Sequence, residues 1–303
     1  MTETRSGFVA LIGEPNAGKS TLMNAMVGSK VSIVTHKVQT TRARIRGIAM
    51  AENAQIVFVD TPGLFKTRRK LDRAMVAAAW SGAADADIVV LLVEAHRGIT
   101  NGVEMILEGL KEREGAGQQF LLAINKIDMV KAESLLALSA ELNTRFNFAA
   151  TFMISAEKGR GVNDLMAHLA ENLPEGPYLY PEDQIADVPM RMIAAEVTRE
   201  KLMLRLHQEL PYNLTVETES WEERKDGSVR IDQMVYVTRE GHKGIALGPK
   251  GETIKSVSMA ARQELAEMME RKVHLFIQVK VRPNWESEAE RYEHMGLDFK
   301  DAK

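Results

Sequence analysis

Gly13-Glu14-Pro15-Asn16-Ala17-Gly18-Lys19-Ser20 constrains this chain more than any other stretch. An apolar run, Phe8 to Ile12, feeds it, and a helix-compatible run, Thr21 to Val27, leaves it. In that strand, loop, helix setting, GxxxxGKS spacing lets backbone N–H groups curl around a polyphosphate while the helix turns its positive end to the same anion. Lys19 is placed to reach the outer phosphates and Ser20 to ligate Mg²⁺. The rest of the chain must then supply a second Mg²⁺ partner, a base reader and a use for hydrolysis.

From Gly7 to about Leu173, apolar runs alternate with helical patterns: Phe8 to Ile12, Ile56 to Val59, Ile88 to Val93, Phe120 to Ile124 and Phe152 to Ile154 read as buried strands. Such strands, separated by helices, imply a parallel sheet covered on both faces. Ligands of such sheets sit at the carboxyl ends of strands, so each further motif should follow a strand directly. Asp60-Thr61-Pro62-Gly63 follows Ile56 to Val59, which places a carboxylate for Mg²⁺, through water, and the Gly63 amide near a terminal phosphate. Taken alone, Asp-Thr-Pro-Gly is equally an ordinary turn.

Asn125-Lys126-Ile127-Asp128 follows Phe120 to Ile124. A carboxylate at Asp128 can accept from both the N1–H and the exocyclic amino group of guanine, a donor pair adenine lacks. Asp128 is also placed to cap a helix over Val130 to Leu138. Ser155-Ala156 follows Phe152 to Ile154, where a backbone amide can meet the guanine carbonyl. The polar stretch Lys30 to Arg46, with Gln39-Thr40-Thr41-Arg42 near its middle, reads as a switch loop. Its threonine hydroxyl would complete the Mg²⁺ shell when the terminal phosphate is present, Thr41 being the first choice and Thr40 the reserve.

A chain of 303 residues exceeds the usual size of one domain, and 45% hydrophobic with 27% charged residues is the balance of a soluble globular protein. A formal charge of −3 gives no global pull toward nucleic acid, so polyanion binding must be local. The absence of cysteine excludes disulfides and thiolate metal sites, and the seven histidines form no metal-ligand pair. Met1 to Gly7 lacks a signal pattern, and the longest apolar run, Ile88 to Val93, falls far short of the ~20 residues that cross a bilayer. A cytoplasmic protein is expected. Three prolines between Pro174 and Pro181 mark a stiff linker, giving residues 1–175 as the nucleotide domain, 176–186 as linker, 187–285 as a second domain and 286–303 as a tail.

Beyond the linker the pattern changes to a helix over about Met190 to Gln208, β-runs around Tyr212 to Glu219 and Ser228 to Val237, and a final strand in which Val273, Leu275, Ile277, Val279 and Val281 alternate with His274, Phe276, Gln278 and Lys280. Ile254, Val257, Ala261, Leu265 and Met268 put an apolar stripe on a helix from Gly251 to Met269. That helix starts at Gly248-Pro249-Lys250-Gly251, a GxxG loop amid Arg239, His242, Lys243 and Lys255. In KH modules such a loop clamps the backbone of single-stranded RNA. The plainer alternative is a glycine turn between helices with solvated lysines. The order α-β-β-α-GxxG-α-β favours the KH reading, with Lys243, Gly248, Pro249, Lys250, Gly251 and Lys255 facing RNA. Pro249 removes an amide donor, leaving phosphate to Lys250, Lys243 and neighbouring amides. The tail Trp285 to Phe299, with Glu286, Glu288, Glu290 and Glu293, reads as a solvated or packing helix.

The order GxxxxGKS, QTTR, DTPG, NKID, SA resembles the translation-factor-class (TRAFAC) GTPases, and the whole chain is similar to a bacterial family of these enzymes with a C-terminal KH domain. The implied fold is α/β: a P-loop GTPase domain with a mostly parallel sheet, followed by an α+β type II KH domain. The resemblance implies GTP and GDP binding with Mg²⁺ held by Ser20, Thr41 and Asp60, and hydrolysis served by Lys19, Thr41 and Gly63. Leu64 stands where small signalling GTPases carry the glutamine that orients water, so slow intrinsic turnover, stimulated by RNA or K⁺, is expected. Asn16 resembles the position that helps hold K⁺ in related GTPases, and Glu14 stands where the family often has arginine. The family further implies binding of small-subunit (16S) rRNA near its 3′ end, action on the pre-30S subunit, peripheral contact with the inner face of the cell membrane, and a monomer. Two other readings are a membrane-associated division-checkpoint GTPase with a protein-adaptor domain and a nucleotide-gated RNA chaperone with negligible turnover.

Overall fold

A computed structural model describes residues 3–37, 40–42, 45–67, 69–113, 117–207, 209–285, 288–295 and 297–302. Gln39 and Glu286 lie outside them, as do the side chains of Glu290 and Glu293. The chain forms two compact units: Met1–Ser32, Val38–Asp187 and Tyr292–Lys303 in the first, Ile33–Lys37 and Val188–Arg291 in the second.

The first unit is a six-stranded sheet of β1 (Arg5–Gly13), β2 (Ile45–Ala51), β3 (Ala54–Asp60), β4 (Ile88–Glu94), β5 (Gln119–Asn125) and β6 (Ala150–Met153), in the order β2-β3-β1-β4-β5-β6. Only β2 is antiparallel, pairing with β3; the other neighbours are parallel. The apolar runs of β3 and β4 are buried along their whole lengths, as strands between two helical layers must be. Helices α1 (Lys19–Val27), α2 (Lys70–Ala84), α3 (Asn101–Lys111), α4 (Ala132–Arg145) and α5 (Val162–Asn172) cover the sheet. On one face Val103, Ile106, Leu107 and Leu110 of α3 meet Leu91, Val93, Leu122 and Ile124, each burial contributing about 1.5–3 kcal/mol. Because β1 is flanked in the sheet by β3 on one side and β4 on the other, a crevice opens at its carboxyl end, where the GxxxxGKS loop lies.

Strand β2 is absent from the sequence reading, which extends the switch loop to Arg46; Ile45 and Arg46 are already in the strand. As an edge strand its hydrophobic signal is short and interrupted by Arg46 and Gly47. Residues 176–186 are laid along this edge and are not a bare spacer. The Gln55 side chain accepts from the amides of Leu179 (2.7 Å) and Tyr180 (2.9 Å), and Ile48 N–H donates to the Ile185 carbonyl at 2.9 Å.

The second unit packs α6 (Met190–Arg205), α7 (Glu240–Leu247) and α8 (Glu252–Met268) against a sheet of β7 (Leu214–Glu223), β8 (Val229–Val237) and β9 (Val273–Val281), with β8 and β9 parallel. Alternation along β8 buries Val229, Ile231, Val235 and Val237 against Ala195, Leu202, Val257 and Leu265 of the helices. The tail packs through Trp285, Tyr292 and Leu297, which are buried, and among its described residues it holds α9 (Ala289–His294) and a 3-10 turn at Phe299–Ala302. Among the described residues, no helix is long and apolar enough to cross a membrane.

Candidate nucleotide site and GxxG loop

The ends of β1, β3, β4, β5 and β6 converge on the crevice of the first unit. Lys19, the first residue of α1, is buried and its ammonium donates to the carbonyls of Gly13 (3.1 Å) and Glu14 (3.0 Å). Burial lowers its pKa to about 8, opposed by the charges of Asp60, Glu14 and Glu94. Asp60, at the end of β3, is fully buried. Its Oδ2 accepts from the hydroxyls of Ser20 (2.8 Å), Ser32 (2.7 Å) and Thr41 (3.3 Å), and the Ser20 and Thr41 oxygens are 2.9 Å apart. Burial raises the Asp60 pKa, while the Ser32 hydrogen bond, Lys19 and the other two hydroxyls oppose the rise. Its Oδ1 has no hydrogen-bond partner among the described residues.

A buried carboxylate oxygen left bare beside two clustered hydroxyls is a donor set that suits a hard, oxygen-seeking divalent cation completed by phosphate and water. The described residues hold no cluster of three His, Cys, Asp or Glu that would bind a metal by itself. The structure brings Thr41 into this group with Ser20 and Asp60, while Thr40 beside it is half-buried.

Asn125 and Lys126, at the end of β5, join the loops. The Asn125 amide donates to the Ala17 carbonyl (2.8 Å) and accepts from Ala156 N–H (3.0 Å), tying the phosphate loop to the Ser155-Ala156 loop. Lys126 donates to the Asn16 carbonyl at 2.8 Å and pairs with Glu94 at 2.5 Å. Ile127 N–H reaches the Ile154 carbonyl, and Asp128 stands exposed in a 3-10 turn, Ile127–Met129. A hydrogen bond from the Ser155 hydroxyl, helped by Lys158 and Arg160, holds its carboxyl below the usual range. The cap of α4 is Lys131, so Asp128 is not engaged as a helix cap.

Several expected residues act through their backbone or packing. Pro15 lies against Gly63, where an added Cβ would come within 2.7 Å of the Pro15 nitrogen. Pro62 is buried, the Thr61 hydroxyl donates to the Leu11 carbonyl at 2.7 Å, and Gly18 caps α1. Leu64 donates its N–H to the Gly13 carbonyl while its side chain is buried in the core, so it neither orients water nor lines the cradle. The Glu14 carboxylate accepts from the Thr100 hydroxyl (2.7 Å), fastening the phosphate loop to the start of α3.

Three participants escape the sequence reading. Glu94 ends β4 as Asp60 ends β3, so strand-end grammar could have found it; it gathers Lys126, Arg97 and His96. Ser32 and Asn24 give no such signal, being ordinary polar residues of a loop and a helix.

In the second unit, α7 ends at Gly248, whose φ of 74° and ψ of 174° favour glycine, and where an added Cβ would stand 2.1 Å from Thr253 Oγ1. The amides of Gly248, Gly251 and Glu252 donate to Gly244, Gly248 and Pro249 carbonyls. These neighbouring amides are therefore engaged within the loop, whereas Lys250 and Lys255 are exposed and Lys243 is half-buried. Arg239 and His242 are not part of that face: Arg239 Nε donates to His242 Nε2 (2.7 Å), and His242 Nδ1 meets Thr238. Burial and Arg239 lower the His242 pKa, keeping the ring neutral. Ile245 adds an apolar side chain, 58% exposed, one turn before Gly248.

A phosphate loop, a strand-end aspartate and an Asn-Lys-x-Asp base reader on a mostly parallel sheet, joined to a GxxG-bearing α+β unit, define a P-loop GTPase with a KH domain. The model of the 50S ribosome-binding GTPase family matches residues 8–126, and that of the KH domain matches residues 209–286. The chain is 76% identical over 298 residues to GTPase Era of Dinoroseobacter shibae, covering 98% of this chain and 97% of that protein, and 62% identical over 296 residues to GTPase Era of Agrobacterium fabrum, covering 98% and 92%. It superposes with a TM-score of 0.91 on a crystal structure of Era in complex with MgGDPNP and nucleotides 1506–1542 of 16S ribosomal RNA, at 35% identity over 97% of this chain and 99% of that one. A point variant of Aquifex aeolicus Era bound to GDP·AlF₄⁻ matches equally, with a TM-score of 0.91 at 34% identity over 97% and 99%. The chain belongs to the GTPase Era family.

Proposed function

We propose that this GTPase works with Mg²⁺ as a switch that binds single-stranded small-subunit rRNA near its 3′ end and assists assembly of the 30S subunit. The observation that carries the reading is the match, over nearly the full chain, to an Era structure holding both MgGDPNP and 16S rRNA nucleotides 1506–1542. Bound Mg²⁺ neutralises charge on the terminal phosphates. Lys19 supplies a second positive charge there, Ser20 and Thr41 supply hydroxyl ligands, and Asp60 acts through water. Gly63 brings its amide to the terminal phosphate, Asp128 selects guanine, and Ala156 N–H adds to the base pocket. With Leu64 turned into the core, intrinsic turnover is slow; Asn16 would help hold a K⁺ ion, whose charge would offset that of the phosphates. Equal hydrolysis rates in KCl and NaCl would remove that role.

Lys243, Lys250 and Lys255 attract the RNA backbone, and Gly248, Pro249 and Gly251 let it approach closely. Coupling between the activities runs through the stretch after Ser32. Residues Ile33–Lys37 belong to the second unit: Val34 N–H donates to Glu200 Oε1 at 2.9 Å, and the Lys37 ammonium donates to the Met203 and Leu206 carbonyls at the negative end of α6. When Thr41 moves with the terminal phosphate, the chain beside it moves too. RNA affinity measured at fixed salt should therefore differ between the GDP form and a non-hydrolysable GTP form, and equal affinities would reduce the switch to two tethered activities.

A further inference from the structure

We propose that Ser32 is a positioning residue of the nucleotide site, holding the Asp60 carboxylate so that one oxygen stays turned to the Mg²⁺ that accompanies the nucleotide. The inference rests on the Mg²⁺-dependent reading above and adds a residue that the motif pattern does not contain.

Three hydroxyls share Asp60 Oδ2, but they are not equivalent. Ser20 and Thr41 are themselves placed to ligate the cation, so their lone pairs serve it and their positions depend on it. Ser32 has no such duty. It is 2% exposed, and its hydroxyl makes the shortest of the three contacts, at 2.7 Å.

Its backbone is fixed from α1. Asn24 Nδ2 donates to the Ser32 carbonyl at 2.8 Å, and Asn24 Oδ1 accepts from Val31 N–H (2.9 Å) and Ser32 N–H (3.0 Å). Asn24 therefore devotes three hydrogen bonds to two residues, and those bonds aim one hydroxyl at one carboxylate oxygen. With Oδ2 pinned by a donor that remains whatever the cation does, rotation of the carboxylate is restrained and the bare, buried Oδ1 keeps its direction. Groups that orient a metal's direct and water-mediated partners in this way are worth about 10- to 100-fold in metal affinity.

The test is the release of a fluorescent GDP from the full-length protein, followed across a titration of free Mg²⁺ and in excess EDTA. For Ser32→Ala the Mg²⁺ concentration giving half-maximal slowing of release should rise about tenfold or more, while the rate in EDTA stays at the wild-type value; Ser32→Thr, which keeps the hydroxyl, should recover most of the shift. Asn24→Ala should move the titration in the same direction by less, providing a second readout where Ser32→Ala folds poorly. An unchanged Mg²⁺ titration in Ser32→Ala overturns the proposal. So does release that accelerates equally with and without Mg²⁺, because it would show that Ser32 only supports the loop. If wild-type release is itself indifferent to Mg²⁺, the Mg²⁺-dependent reading fails first, which separates the two outcomes.

Discussion

The nucleotide cradle and the GxxG loop offer a phosphate the same three things, glycine, lysine and the start of a helix, yet they are built in opposite ways. In the cradle Lys19 is buried, and Asn125, Lys126 and Glu94 cross-link three loops through protein contacts alone. In the GxxG loop the lysines face solvent, several amides are used internally, and the main strut, Arg239 to His242, stands to one side. A pre-organised site commits its groups to one geometry and rejects analogues. An open loop with solvated charges accepts a repeating backbone and depends on salt.

The contrast can be broken most severely at Asp128. Asp128→Asn should lower the preference for guanosine over xanthosine nucleotides by roughly 10⁴-fold, read by competition between GDP and XDP, since the amide cannot accept from both guanine donors. In the open loop, Lys243→Glu with Lys250→Glu should weaken RNA binding about 100-fold at low salt and flatten the log affinity against log salt plot by about 1.4, with GTP hydrolysis in the absence of RNA unchanged. Survival of RNA binding in that variant would favour a protein-adaptor role for the second unit. Within the loop the two glycines should separate: Gly248→Ala, which meets Thr253, should cost about 2 kcal/mol in chemical denaturation, and Gly251→Ala, with open space around it, about 1 kcal/mol.

The smallest effect comes from pH. Below pH 8 the Lys19 ammonium is charged in the free protein; above it, binding the phosphates requires uptake of a proton. GDP affinity should accordingly be nearly flat from about pH 6 to 7 and fall about fourfold by about pH 8.5, as followed by fluorescent GDP titration. RNA affinity, resting on solvent-exposed lysines, should barely change over the same range. A GDP profile that stays flat throughout would show that Lys19 is not the group burial has tuned.

How legible each region is in the sequence follows from the same contrast. Motifs that must place a specific atom after a strand, such as Asp60 and Asn125, carry their chemistry in residue type and spacing. The strands themselves are visible because burial on both faces makes β3 and β4 largely continuous apolar runs. Strand β2 is hidden because an edge strand needs no such run, and the path of residues 176–186 is hidden because Gln55, near the start of β3, sets it. Supporting residues leave the least trace. Ser32 and Asn24 matter by their partners, and partners 28 and 8 residues away are not written in local pattern. Leu64 reads in the sequence as a residue that cannot orient water, and its position in the core explains it better.

The strand register adds a consequence. Ile45 stands opposite Asp60 in the β2–β3 ladder, while Ser32 grips the same aspartate by its hydroxyl. Asp60 is thus met at both Ser32 and Ile45, by a side chain at the first and by backbone pairing at the second. A side-chain variant at Asp60 leaves the backbone ladder to Ile45 in place but frees Ser32 as it removes the carboxylate, so it reports lost anchorage together with lost cation, and Ser32 is the handle that pulls the two apart.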